Sequence, residues 1–223
     1  SDAEKIWSMQ KEAFTKLFEK YLDDKDYQNR IIVITDAMPN SGDITSTGLM
    51  GMIEKNAEDK IYTSLIGVGV DFNTELTEKI SDVRGANYYS VHSSSEFKKT
   101  LADEFDYMVT PLIFDLDLSF KSEDYEIENV YGTDSVNKTT GNIMHINTLF
   151  PSSSNSEGEV KGGIVVLKLK KKQESSSNNI SLSISYKDSK EQEHSNKEEV
   201  QFKQSTNDYY DNTGIQKAIV LAR

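Results

Sequence analysis

The chain has 223 residues, a formal net charge of −12, no cysteine and 36% hydrophobic residues, enough for one large or two small domains with a buried core. Without cysteine there is no disulfide framework, thiolate zinc site or thiol nucleophile, and 37 acidic against 25 basic residues argue against a general nucleic-acid binder. No stretch approaches the roughly 20 apolar residues that span a bilayer, and nothing at the start reads as a signal peptide. Neither nucleic acid nor membrane insertion by this segment is expected.

Ile6, Met9, Ala13, Phe14, Leu17, Phe18 and Tyr21 recur at helical spacing and predict an amphipathic helix over 6–22. Ile31–Ile34 is a short β-branched run of the kind found in a parallel strand covered on both faces. Gly48–Lys55 reads as a helix through Leu49, Met52 and Ile53, and Ile61–Val70 as a second buried strand. Asn73 is placed to cap a helix running through Leu76, Ile80 and Val83, with Gly85 marking its end. Tyr88–Val91 is a third strand. Ser93 with Glu96 three positions later forms a capping box for a helix expected to face Phe97, Leu101, Phe105 and Met108 inward. This alternation predicts a parallel sheet with helices on both faces.

Beyond Pro111 the period becomes two: Phe114, Leu116, Leu118 and Phe120 alternate with Asp115, Asp117, Ser119 and Lys121. Further strands are expected at Tyr125–Tyr131, Ile143–Leu149, Gly163–Lys171, Ile180–Tyr186 and Val200–Lys203, joined by polar turns, which suggests an antiparallel sandwich or barrel. The expected division is therefore 1–110 α/β, 111–205 all-β, and 206–223 the start of a helix through Ile215, Ala218, Ile219 and Leu221 that stops short at Arg223.

The segment Ile31–Asn40 (IIVITDAMPN) places Asp36 just past the carboxyl end of a buried strand, where open α/β sheets put ligands. Here the sequence resembles the von Willebrand factor type A family, in which a strand ends in Thr-Asp-Gly and the aspartate closes a metal-ion-dependent adhesion site. Thr35 and Asp36 match, and Ala37 replaces the usual glycine. The resemblance continues through IGVGVDFN (66–73) and ANYYSVHSSSEF (86–97). With TDAMPNSGD (35–43), TPLIFDLDLSF (110–120) and YDNTGIQKAIVLAR (210–223), the wider pattern is similar to the prokaryotic secreted or lipoprotein branch. Members of that branch are often labelled calcium-activated chloride channel-like, and in them a type A domain precedes a β-rich one.

The resemblance implies the second half of a doubly wound α/β sheet followed by an all-β sandwich-like domain. It also implies a Mg²⁺ site, with Mn²⁺ or Ca²⁺ as alternatives, to which Asp36 contributes and Thr35 adds a supporting hydroxyl. In the family the metal is held chiefly by Asp-x-Ser-x-Ser at the end of the first strand and by a threonine in a later loop, and neither is visible here. Asp117-Leu118-Ser119-Phe120-Lys121 lacks the second serine and reads as a strand face. Magnesium takes about six oxygens, so Asp36 alone makes no selective site, and the metal is expected only in a more complete domain. A three-stranded parallel sheet lacking its inner neighbour would expose backbone groups and apolar surface. The missing first half, in the same or a separate chain, is therefore an expected partner.

Asn40 and Asp43 lie in the loop after Asp36 and could support the site, although loop Asn and Asp are commonly turn formers; Asp71 is placed similarly after the next strand. His92, His145 and His194 are far apart and do not have zinc-ligand spacing. Ser93-Ser94-Ser95 lies outside any Gly-x-Ser-x-Gly elbow and is explained by capping. Lys168, Lys170, Lys171 and Lys172 fit edge-strand protection, and the sequons at Asn137 and Asn179 matter only in a glycosylating source. The functional expectation is a non-enzymatic, extracytoplasmic interaction or adhesion module, secreted or anchored at the cell surface, whose bound metal grips an acidic group of a protein partner. The alternative is a metal-independent structural or assembly subunit with a vestigial site. No nucleophile–base pair or catalytic carboxylate pair supports an enzyme.

Overall fold

A computed structural model describes residues 8–9, 12–13, 16, 21, 26–36, 48–69, 74–133, 136–137, 139–153, 162–172, 179–201, 217 and 220. The chain forms two compact units, one of Ser1–Phe114 with Asn147–Ser153, the other of Asp115–Ile146 with Ser154–Arg223.

In the first unit β1 (Asn29–Thr35), β2 (Ile61–Val68) and β3 (Asn87–Val91) form a parallel sheet in the order β1-β2-β3. Thr35 is level with Gly67, and Val68 with Val91, so the carboxyl ends of all three strands share one edge. Alternate residues serve opposite faces, so β2, buried along almost its whole length, is apolar apart from Thr63 and Ser64. The expectation that Ile31–Ile34 is buried on both faces is corrected: Ile31, Ile32 and Val33 are half-buried and Ile34 is exposed, because β1 has only β2 beside it among the described strands. Val33 and Leu65 pack with Met50 and Ile53 of α1 (Leu49–Glu58) and with Leu76 and Ile80 of α2 (Thr74–Asp82). Ile32 and Ile66 pack on the other face with Val91, Phe97, Leu101 and Met108. Among the described residues of the expected first helix, 8–9, 12–13, 16 and 21 are helical, but Met9, assigned to the apolar stripe, is exposed.

The helix expected after Ser93 is instead three short pieces: α3 (Ser94–Lys98), a π-helical turn (Lys99–Asp103) and α4 (Phe105–Val109). The Glu104 N–H bonds to the Lys99 carbonyl five residues back. That wider turn rotates everything after it, leaving Met108 buried and Phe105 39% exposed rather than inward. The capping box does form. Ser93 Oγ accepts from the Glu96 N–H at 3.1 Å, while Glu96 Oε2 accepts from the His92 N–H at 2.7 Å, one residue earlier than the usual reciprocal bond. Ser93→Ala should cost about 1 kcal/mol, measurable as a lower urea midpoint.

Residues Asn147–Ser153 are stitched into the same unit. Thr148 Oγ1 accepts from the Gly85 N–H at 2.7 Å, the Leu149 carbonyl from the Leu112 N–H at 2.8 Å, and Glu104 Oε1 from Ser153 Oγ at 2.7 Å.

The second unit is β-rich. β4 (Ile113–Lys121), β6 (Asn142–Leu149), β8 (Asn179–Lys187) and β9 (Glu193–Gln201) form a sheet in the order β6-β4-β8-β9, and β5 (Tyr125–Tyr131) pairs antiparallel with β7 (Val166–Lys171). Phe120, Ile143 and Ile180 from the larger sheet share a core with Tyr125, Ile127, Leu167 and Leu169 from the smaller one, a sandwich-like arrangement. Of the strand expected at Val200–Lys203, Val200 and Gln201 form the end of a longer one, and residues 202 and 203 lie outside the described residues. β9 begins at Glu193 and pairs antiparallel with β8 from Lys187↔Glu193 to Asn179↔Gln201. Every β9 residue but Val200 is exposed, so hydrophobic alternation carries no signal there. Its charged and polar residues suit an edge strand.

Candidate functional site

Asp36 lies one residue past β1 and is exposed; Thr35, the last residue of β1, is half-buried. Register fixes the neighbourhood. Across the carboxyl edge of the sheet come the end of β2, where the Gly69 N–H donates to the Val91 carbonyl at 2.8 Å, and then His92 and the Ser93 cap after β3. Ile34 is 51% and Val68 38% exposed on the face that also carries Ile66. The predicted aspartate is thus at a sheet edge where α/β folds bind ligands. Asn40, Asp43 and Asp71 lie outside the described residues, as do Ala37 and Asn73. Among the described residues no three histidine or acidic side chains are grouped to hold a metal ion. The donors seen at the sheet's edge therefore fit one or two of the oxygens that Mg²⁺ takes and do not form a complete site.

Asp117, Asn142 and His145 are brought together on β4 and β6. Asp117 Oδ1 accepts from Asn142 Nδ2 at 2.7 Å and lies 2.9 Å from His145 Nδ1. Spacing of 25 and 28 residues hid this cluster from the sequence. At the turn between β8 and β9, His194 Nε2 lies 2.9 Å from Asp188 Oδ2, and the His194 ring stacks on Tyr186 with centroids 5.2 Å apart. Asp188 Oδ1 also accepts from the Lys190 and Gln192 N–H groups at 2.8 and 2.9 Å. These bonds, the one to His194 first, hold the Asp188 carboxyl below the usual carboxylate range. A depressed acid contributes stability in full above its unfolded value, near 3.9, and loses it as pH falls through the lower folded value. The Lys190 and Gln192 amide resonances should accordingly hold their folded shifts down to pH about 4 and collapse only below it; Asp188→Asn should remove that acid transition from an NMR titration.

The basic run faces acids across the β5–β7 ladder. Lys168 Nζ pairs with Glu128 at 3.0 Å and Lys170 Nζ with Glu126 at 3.5 Å, Glu128 being the extra residue of a bulge between Ile127 and Asn129. The Glu128 carboxylate holds the Lys168 ammonium above its ordinary value. No helix among the described residues is long and apolar enough to cross a membrane.

No family model matches the sequence, and a comparison with curated proteins finds no relative. Several solved structures are similar. The human COPII-coat protein Sec24c matches 85% of this chain and 29% of its own at 9% identity and a TM-score of 0.47. A von Willebrand factor type A protein from Catenulispora acidiphila matches 78% of this chain and 42% of its own at 11% identity and a TM-score of 0.41. The chain thus spans less than half the length of either. At those scores the likenesses carry no argument, and the α/β-plus-β architecture rests on the strand pairings themselves.

Proposed function

We propose that the chain is part of a non-enzymatic, extracytoplasmic protein-interaction module in which Asp36 supplies one ligand to a divalent cation, Mg²⁺ foremost, that grips an acidic group of a protein partner. The observation that carries this reading is the place of Asp36: an exposed carboxylate immediately beyond the carboxyl end of β1, level with the ends of β2 and β3. Thr35 adds a hydroxyl one residue earlier. The remaining ligands come from residues outside those described or from the first half of a type A domain, and the β-rich unit serves as scaffold or spacer. A metal ion with one open coordination position binds a carboxylate through charge as well as geometry, so a modest contact area suffices.

Titrating Mg²⁺ and Mn²⁺ calorimetrically into the longest natural form of the protein, beside the 223-residue chain, tests this. Saturable binding in the longer form that Asp36→Ala reduces at least tenfold is the expected result. Binding that ignores Asp36→Ala overturns the ligand assignment. Ala37 in the glycine position favours a second reading: a metal-independent assembly subunit of a surface or membrane complex. Partner binding that survives a chelator would select it.

A further inference from the structure

We draw no further inference here: the strongest candidate, the apolar patch of Ile34 and Val68 beside Asp36 at the carboxyl ends of β1 and β2, is the end of a sheet face left uncovered among the described residues, and nothing in the structure shows what covers it.

Discussion

Gly85→Ala should destabilise the α/β unit by about 3 kcal/mol, read as a fall in urea midpoint at unchanged slope. Gly85 follows α2 with φ +71°, a left-handed conformation that costs an L-residue about 1 kcal/mol. The larger part is steric. An alanine Cβ would stand 2.1 Å from Tyr62 Cδ1 and 2.4 Å from Cγ, the body of the ring rather than a movable tip. That ring is 7% exposed, lies against Phe114 at 5.8 Å between centroids, and has the Arg30 guanidinium 5.7 Å from its own centroid. Phe114 in turn has the Arg84 guanidinium over its ring, 4.1 Å from its centroid. The ring has nowhere to swing without loosening the core, and overpacking of this kind costs about 1–3 kcal/mol. Gly69 is the internal control. It has φ +70° but no atom of the described residues within 4 Å of a Cβ, so Gly69→Ala should cost only the backbone contribution of about 1 kcal/mol. Equal losses in the two variants would show that the Tyr62 contact is not the cause.

What could be read beforehand follows from how each element is stabilised. β2 buries both faces, so Ile61–Val68 is apolar at every position but Thr63, Ser64 and Gly67, while half-buried β1 packs Val33 on one face and Ile32 on the other, and both runs announce themselves. β4 buries one face, and Phe114, Leu116 and Phe120 keep the alternation visible. β9 buries almost nothing. Its order comes from ladder hydrogen bonds to β8, which any residue but proline can make, so EHSNKEEVQ gave no warning. The π turn was equally silent, because Phe97, Leu101, Phe105 and Met108 satisfy helical spacing whether or not the backbone widens at Lys99–Asp103. Of the candidate site, the strand-end aspartate was legible because it belongs to a contiguous pattern. The Asp117–Asn142–His145 cluster was not, because it is assembled by the pairing of β4 with β6 rather than by spacing along the chain.

Arg30 is another residue whose importance the sequence conceals, and two substitutions there should separate its volume from its charge. At the start of β1 its Nε donates to the Val109 carbonyl at 3.0 Å and its Nη1 to Ser64 Oγ at 2.9 Å. The guanidinium lies 5.3 Å from the Phe150 ring centroid as well as near Tyr62. It therefore joins β1, β2, the end of α4 and the Asn147–Ser153 segment. Its Nη2 is buried without a hydrogen-bond partner, and no carboxylate among the described residues pairs with it. Burial pushes the guanidinium down to about 10, with the Tyr62 and Tyr89 rings acting in the opposite direction. A base whose folded value is depressed is charged at a cost below that value, and the cost is relieved as pH rises through it. Arg30→Met keeps most of the volume and removes both the charge and the orphaned donor, at the expense of two hydrogen bonds worth about 1 kcal/mol each. The gain and the loss nearly cancel, and stability should stay within about 1 kcal/mol of the parent at pH 7. Arg30→Ala opens a cavity against Tyr62 and Phe150 and should cost about 3 kcal/mol. Above pH 10 the parent should gain on Arg30→Met, because only the parent has a buried charge to relieve. If methionine proves as costly as alanine in urea denaturation, the two hydrogen bonds outweigh the filled volume, and Arg30 acts chiefly by holding Val109 and Ser64 in place.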